Sequence, residues 1–287
     1  MNIVIWGSRG SIPSPGFTTI RYGGESTCIE VRGDEGEVII IDAGSGIRKL
    51  GEKLLKEPSV LKINLLFTHS HWDHLSGFPF FRPAYFSKFT FALCGGSEAQ
   101  KSVLDYLSHQ MDPPYFPVSF SELKAKFLSG CNCNNPICNH SLCYSGASLK
   151  CEAIPLNHPN GGFGFKLSDK SGSFVFLTDN EIRYAHDEGA TREEYLGFCR
   201  NADLLFYDAQ YSEHEYKKTR GWGHSTFLDA IDLAIDAGVK RLGLFHHDPD
   251  RTDDQLDQQM EWCVKYIKEK GSPLDCFACA EGMSLIV

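Results

Sequence analysis

Short apolar runs recur along the chain, and each breaks off at polar or small residues. Segments 2–6, 26–31, 37–41, 63–67 and 88–94 are too short for ordinary helices and are bounded by turn formers, so they predict strands. Segments 151–156, 161–167, 173–177, 203–207 and 241–245 read the same way, with a hairpin turn at 169–172. Between them lie helical patterns at 47–56, 97–110 and 191–200, and a stretch placing Phe227, Ile231 and Ala234 on one face. A last helix opens at Thr252, with Gln255 as its capping partner, and buries Leu256, Met260, Cys263 and Ile267. Segment 276–287 predicts a closing strand or hairpin. Strands alternating with helices give an α/β fold. No linker divides the chain, so one domain over 1–287 is expected.

The strands matter for what ends them. Run 63–67 leads straight into Thr68-His69-Ser70-His71-Trp72-Asp73-His74, which packs three histidines and an aspartate into six residues. Imidazole and carboxylate are the usual nitrogen and oxygen ligands of zinc and its neighbours. His69 and His71 lie two apart, so an extended backbone aims both the same way. Asp73 and His74 follow where a turn can aim them at a second point. Two metals sharing the segment is easier geometry than one taking all four ligands. Other runs end alike: Asp42 after 37–41, His158 after 151–156, Asp179 after 173–177, Asp208 after 203–207, and the pair His246-His247 after 241–245. Singly, each is as well explained by structure: Asp42 as a helix N-cap, Asp208 as a turn former. The aromatic stretch 77–86 either walls a pocket or packs a core.

Composition bounds the partners. The 287 residues carry a net charge of −9 and show no basic stretch, so an extended nucleic-acid partner is not expected. A small anionic substrate is, because a metal pair supplies positive charge locally. The N-terminus lacks a basic, then apolar leader and no run reaches membrane length, so a cytoplasmic chain without a membrane partner is expected. A homodimer is left open. Eleven cysteines without an export signal suggest reduced thiols. Cys131, Cys133, Cys138, Cys143 and His140 fall within thirteen residues, enough to wrap a structural zinc in an insertion loop at 131–143; free thiols or a loop disulfide explain them equally.

The stretch from His69 to His74 matches His-x-His-x-Asp-His at every position, the signature of the metallo-β-lactamase fold superfamily, which the chain resembles. The later block Gly223-His224-Ser225-Thr226, then a helix, a strand and His246-His247-Asp248-Pro249, resembles the tRNase Z-like phosphodiesterase branch. The resemblance implies a four-layer αββα sandwich holding two divalent ions, zinc by preference, with manganese or iron accepted by the same ligands. It implies one ion on His69, His71 and His158, the other on Asp73, His74 and His246, and Asp179 shared. Asp42 would orient a ligand rather than bind metal. Asp208, Trp222 and His247 are further candidates for supporting the ligands or touching substrate. The reaction implied is attack by a metal-bridging hydroxide on a small phosphodiester such as a cyclic nucleotide, with His224 as general acid. Alternatives are a lactonase or thioesterase of the same fold, a tRNA 3′-end endonuclease, or a non-enzymatic metal or redox sensor built on the cysteines.

Overall fold

The computed structural model describes residues 1–95, 103–129 and 149–287. In chain order the first half holds β1 (Asn2–Gly7), β2 (Cys28–Arg32), β3 (Val38–Ile41), α1 (Ile47–Leu54), β4 (Lys62–Phe67), α2 (Trp72–Leu75), β5 (Thr90–Gly95), α3 (Val103–His109) and β6 (Lys126–Ser129). The second half holds β7 (Lys150–Pro155), β8 (Phe163–Ser168), β9 (Ser173–Leu177), α4 (Arg192–Cys199), β10 (Leu204–Asp208), α5 (Glu213–Thr219), α6 (Phe227–Asp236), β11 (Arg241–Phe245), α7 (Asp253–Glu269), β12 (Asp275–Ala278) and β13 (Ser284–Ile286). The insertion expected at 131–143, with its candidate structural zinc, lies outside the described residues.

Two sheets form, ordered β13-β1-β2-β3-β4-β5-β6 and β12-β11-β10-β9-β8-β7. The predicted 276–287 hairpin does not: β12 pairs with β11 and β13 with β1, in opposite sheets. The tail thus crosses from one sheet to the other.

Side-chain alternation makes the layers. In β3, Val38 and Ile40 join the core under α1, while Ile39 and Ile41 face the other sheet. In β9 and β10, Val175, Leu177, Leu205 and Tyr207 face the helices, and Phe174, Phe176, Leu204 and Phe206 face the first sheet. Three apolar cores between four layers follow from this period of two. The aromatic stretch after the His-rich segment belongs mainly to the first core, since Phe78 and Phe81 are fully buried in it. No helix among the described residues is long and apolar enough to cross a membrane.

β3, β4 and β5 run parallel, as do β9, β10, β11 and β12. Their C-terminal ends bring the histidines and aspartates to one edge of the sandwich, where open α/β sheets present their ligand sites.

Candidate active site

Three of these strands hand over to the site through a left-handed residue. Asp42, Asp179 and His246 follow β3, closely follow β9, and follow β11, with φ of 62°, 55° and 59°. Asp and His adopt this region more readily than most residues, yet it still costs energy that the surrounding contacts must hold in place.

The side chains converge. His69, His71, His158 and Asp179 form one group, and Asp73, His74, Asp179 and His246 a second; within each, the possible ligand atoms lie within 4.8 Å of one another. Asp179 belongs to both. Its carboxylate lies 3.2 Å from His74 Nε2 and His246 Nε2, 3.5 Å from His69 Nε2 and 3.8 Å from His158 Nε2. Burial alone would raise the Asp179 carboxyl, but His246, His74 and His69 outweigh it and hold it well below the usual range.

Each of four histidines is anchored through Nδ1, which leaves Nε2 for the cluster. His74 Nδ1 donates to Asp42 Oδ2 at 2.8 Å. His69 Nδ1 faces Thr68 Oγ1 at 3.0 Å, and that hydroxyl donates to Asp42 Oδ2 at 2.7 Å. His158 Nδ1 donates to the Gly223 carbonyl at 3.0 Å, and His246 Nδ1 to Gln210 Oε1 at 3.0 Å. Fixing one ring nitrogen sets the tautomer and aims the other. Asp42 is not the cap of α1, whose N-cap is Gly46. It serves two histidines, one directly and one through Thr68.

The donor set fits a metal. The Nε2 atoms of His69 and His74 are buried without a hydrogen-bond partner, which is costly unless a cation accepts their lone pairs. Burial drives the His158 imidazole down to about 3 and His69 well below its ordinary value, so both present neutral, ligating rings. At His74, burial is outweighed by Asp73, Asp179 and Asp42, which push it well above its ordinary value: this corner calls for positive charge.

His224 stands beside both groups and forms a third with Asp179, Asp208 and His246, whose possible ligand atoms also lie within 4.8 Å of one another. Its ring stacks on His246 at 4.8 Å and 17°. Its Nδ1 donates to Asp208 Oδ2 at 2.7 Å, while Asp208 Oδ1 accepts from the backbone of Gln210 and Ser225. Burial alone would lower this imidazole; Asp208 first, then Asp179 and Asp73, outweigh it and hold it up at about 9. Trp222, two residues earlier, is exposed.

His247, expected as a supporting or substrate residue, is not in these groups. Its Nε2 donates to the Cys279 carbonyl at 2.8 Å and its ring sits beside Tyr22, because the turn after β11 sends adjacent side chains opposite ways. Several supporting residues escaped the sequence. Gln210 carried a faint signal, two positions after a strand-ending aspartate. Thr68 carried another, directly before His69. Gly10 carried none: its backbone abuts the His246 ring, and Ser11 N donates to Asp73 Oδ2 at 2.8 Å.

The family model of the beta-lactamase superfamily domain matches residues 37–247. A protein named Ribonuclease Z from Prochlorococcus marinus is 25% identical over 300 aligned positions, covering 89% of this chain and 91% of that one. Human tRNase Z, short form, superposes with a TM-score of 0.64 at 20% identity, covering 100% and 99%. A diphosphatase of the PhnP family gives a TM-score of 0.66 at 18% identity, covering 100% and 97%. These names correct one expectation. A relative called a ribonuclease aligns along most of this chain, so an acidic composition does not exclude extended nucleic acid as partner. Net charge sums the whole surface, whereas binding follows the local field at the site. From the matched span, the fold and the His/Asp cluster, the chain belongs to the beta-lactamase superfamily domain family, as a metallo-β-lactamase-fold hydrolase that works with metal.

Proposed function

We propose that the protein hydrolyses phosphodiesters, with two divalent ions held by the two groups around Asp179. The observation that carries this reading is the His224–Asp208 pair stacked against His246 at the edge of the cluster. When bound, the ions supply a water-derived nucleophile at neutral pH and positive charge against the phosphoryl oxygens. His69, His71 and His158 would hold one, Asp73, His74 and His246 the other, and Asp179 both.

The remaining chemistry falls to side chains. Hydrolysis of a diester breaks one P–O bond and releases an alkoxide, a poor leaving group that needs a proton as the bond opens. His224 supplies it. Asp208 occupies Nδ1, so Nε2 is the atom that meets the leaving oxygen, and the carboxylate stabilises the protonated ring until the transfer. A thioester would not need this donor, because a thiolate leaves unaided. Gln210 and Gly223 keep the His246 and His158 rings in place while charge builds on the phosphoryl group. Trp222 offers an exposed indole two residues from His224, suited to a base or other flat group on the substrate.

Within this class a small diester such as a cyclic nucleotide is the first substrate. A second reading, cleavage of an RNA chain, draws support from the relatives named Ribonuclease Z. Zinc- or manganese-loaded protein, assayed on a cyclic nucleotide, an RNA with a 3′ extension, a lactone and a thioester beside a chelated control, tests both. Turnover of the lactone or thioester above either diester, unchanged in His224→Ala, would overturn the diester assignment.

A further inference from the structure

Glu181 is fully buried, yet no lysine or arginine pairs with it among the described residues. A buried carboxylate without a cationic partner persists only when hydrogen bonds satisfy it. Here they do so completely. Oε1 accepts from Tyr216 Oη at 2.7 Å and Gly221 N at 2.8 Å. Oε2 accepts from Gly223 N at 2.8 Å and faces His186 Nε2 at 3.3 Å. Its bonds fix a turn.

That turn is the one carrying Trp222 and leading into His224. Gly221 and Gly223 both lie at positive φ, 87° and 94°, and the carboxylate bridges their two amides. The Gly223 amide is held by Glu181 while its carbonyl accepts from His158 Nδ1. The same glutamate is tied to the His158 strand end, since Glu181 N donates to the Asn157 carbonyl at 2.9 Å. The fit is close: a Cβ on Gly223 would lie 2.0 Å from His158 Nδ1.

We propose that Glu181 is a positioning residue: by gripping the Gly221 and Gly223 amides it sets the carbonyl that orients His158, and so tunes the ion site of His69, His71 and His158. This rests on the reading of His158 as a ligand made above. In Glu181→Gln one oxygen becomes an NH2, which cannot accept from the amide it faces, so one arm of the grip is lost with little change in volume.

Zinc titration of the metal-stripped protein reads the effect without substrate. Of the two binding steps, the one that His158→Ala removes should weaken about 10- to 100-fold in Glu181→Gln, the range for loss of a group that orients a ligand. The other step should stay within about twofold. In loaded enzyme, kcat should fall while KM holds. Tyr216→Phe removes a donor from outside the turn; it should lower the melting temperature and leave both zinc steps unchanged. Gly223→Ala attacks the same contact from the other side and should weaken the same step as Glu181→Gln. Wild-type zinc binding in a folded Glu181→Gln makes the carboxylate a folding element and overturns the proposal. Should Glu181→Gln not fold, Glu181→Asp decides, since it keeps the carboxylate but shortens its reach to the two amides by one methylene: weakening of that step supports the proposal, and wild-type binding overturns it. If His158→Ala itself keeps both steps, the ligand assignment fails rather than the role of Glu181.

Discussion

Gly10 offers the sharpest test of how the site is built. A Cβ at this position would fall 2.3 Å from His246 Nδ1 and 2.4 Å from Cε1, whereas ordinary contact begins at 3.4 Å. The alanine methyl group and the ring must therefore part by about 1 Å. Neither side yields easily. Gly10 N donates to the His247 carbonyl at 2.9 Å, His247 N to the Ser8 carbonyl at 3.0 Å, and Ser11 N to Asp73 Oδ2. The ring is bonded to Gln210 and stacked between His224 and His74. Metal–ligand distances tolerate shifts of only about 0.2 Å, so a displacement of this size takes Nε2 out of reach. We expect Gly10→Ala to weaken one of two ion-binding steps by at least about 10- to 100-fold, equivalent to roughly 1.4–2.8 kcal/mol. Overpacking should cost a further 1–3 kcal/mol or so of stability. Isothermal titration with zinc and metal analysis after gel filtration measure the first, and thermal melts the second. Gly16→Ala is the control in the same loop, because its nearest neighbour would be 4.0 Å away. Two tight ions in Gly10→Ala, matching Gly16→Ala, would refute the placement of His246 in the cluster.

Other outcomes follow from the same geometry. His224→Ala should cut turnover of an alkyl-leaving diester by about 10²–10⁴-fold, with a smaller loss on a p-nitrophenyl ester whose leaving group needs no proton; loss of bound metal in this variant would make His224 structural instead. Asp42→Asn turns into a donor one of the two oxygens that accept from Thr68 and His74, so metal affinity should drop about 10- to 100-fold; unchanged affinity in a competition titration would contradict that. Stripping ions with a chelator should abolish activity and lower the melting temperature by roughly 5–10 °C, since an ion at a hundred times its Kd contributes about 2.7 kcal/mol; equal melts with and without metal would count against a site built for it. Trp222→Ala should raise KM for a base-bearing diester about five- to tenfold or more and leave a glycerol-based diester unaffected; equal effects on both would dismiss stacking.

Much of this site was legible because its chemistry sits where patterns change. A short apolar run followed closely by His or Asp marks a strand end, and His69, His158, Asp179 and His246 stand at such ends; singly each read as well as structure, and only the His69–His74 stretch and the family resemblance joined them. The four layers came with the family resemblance alone, since β3, β9 and β10 are buried almost throughout and their sequences do not say which side meets a helix. What stayed hidden depends on contacts between distant segments. Nothing near Gly10 in the sequence says that an imidazole from residue 246 lies against it, and Glu181 looks like any glutamate after a strand. The C-terminal hairpin was misread because two strands close in sequence can still belong to different sheets. Helix α5 could have been found: Ser212 and Glu215 form a capping box ahead of it. The presumed exclusion of nucleic acid failed for a different reason, since it used a property of the whole surface to judge one patch.

His69 and His71 follow a strand of the first sheet, whereas His158 and Asp179 follow strands of the second; Asp73 and His74 meet Asp179 and His246 in the same way. An ion in either place would therefore act as a rivet through the seam of the sandwich. Sliding one sheet past the other would shear its coordination before it disturbed much of the apolar packing. The rate at which such an ion exchanges with solution would then serve as a clock for the opening of the two halves.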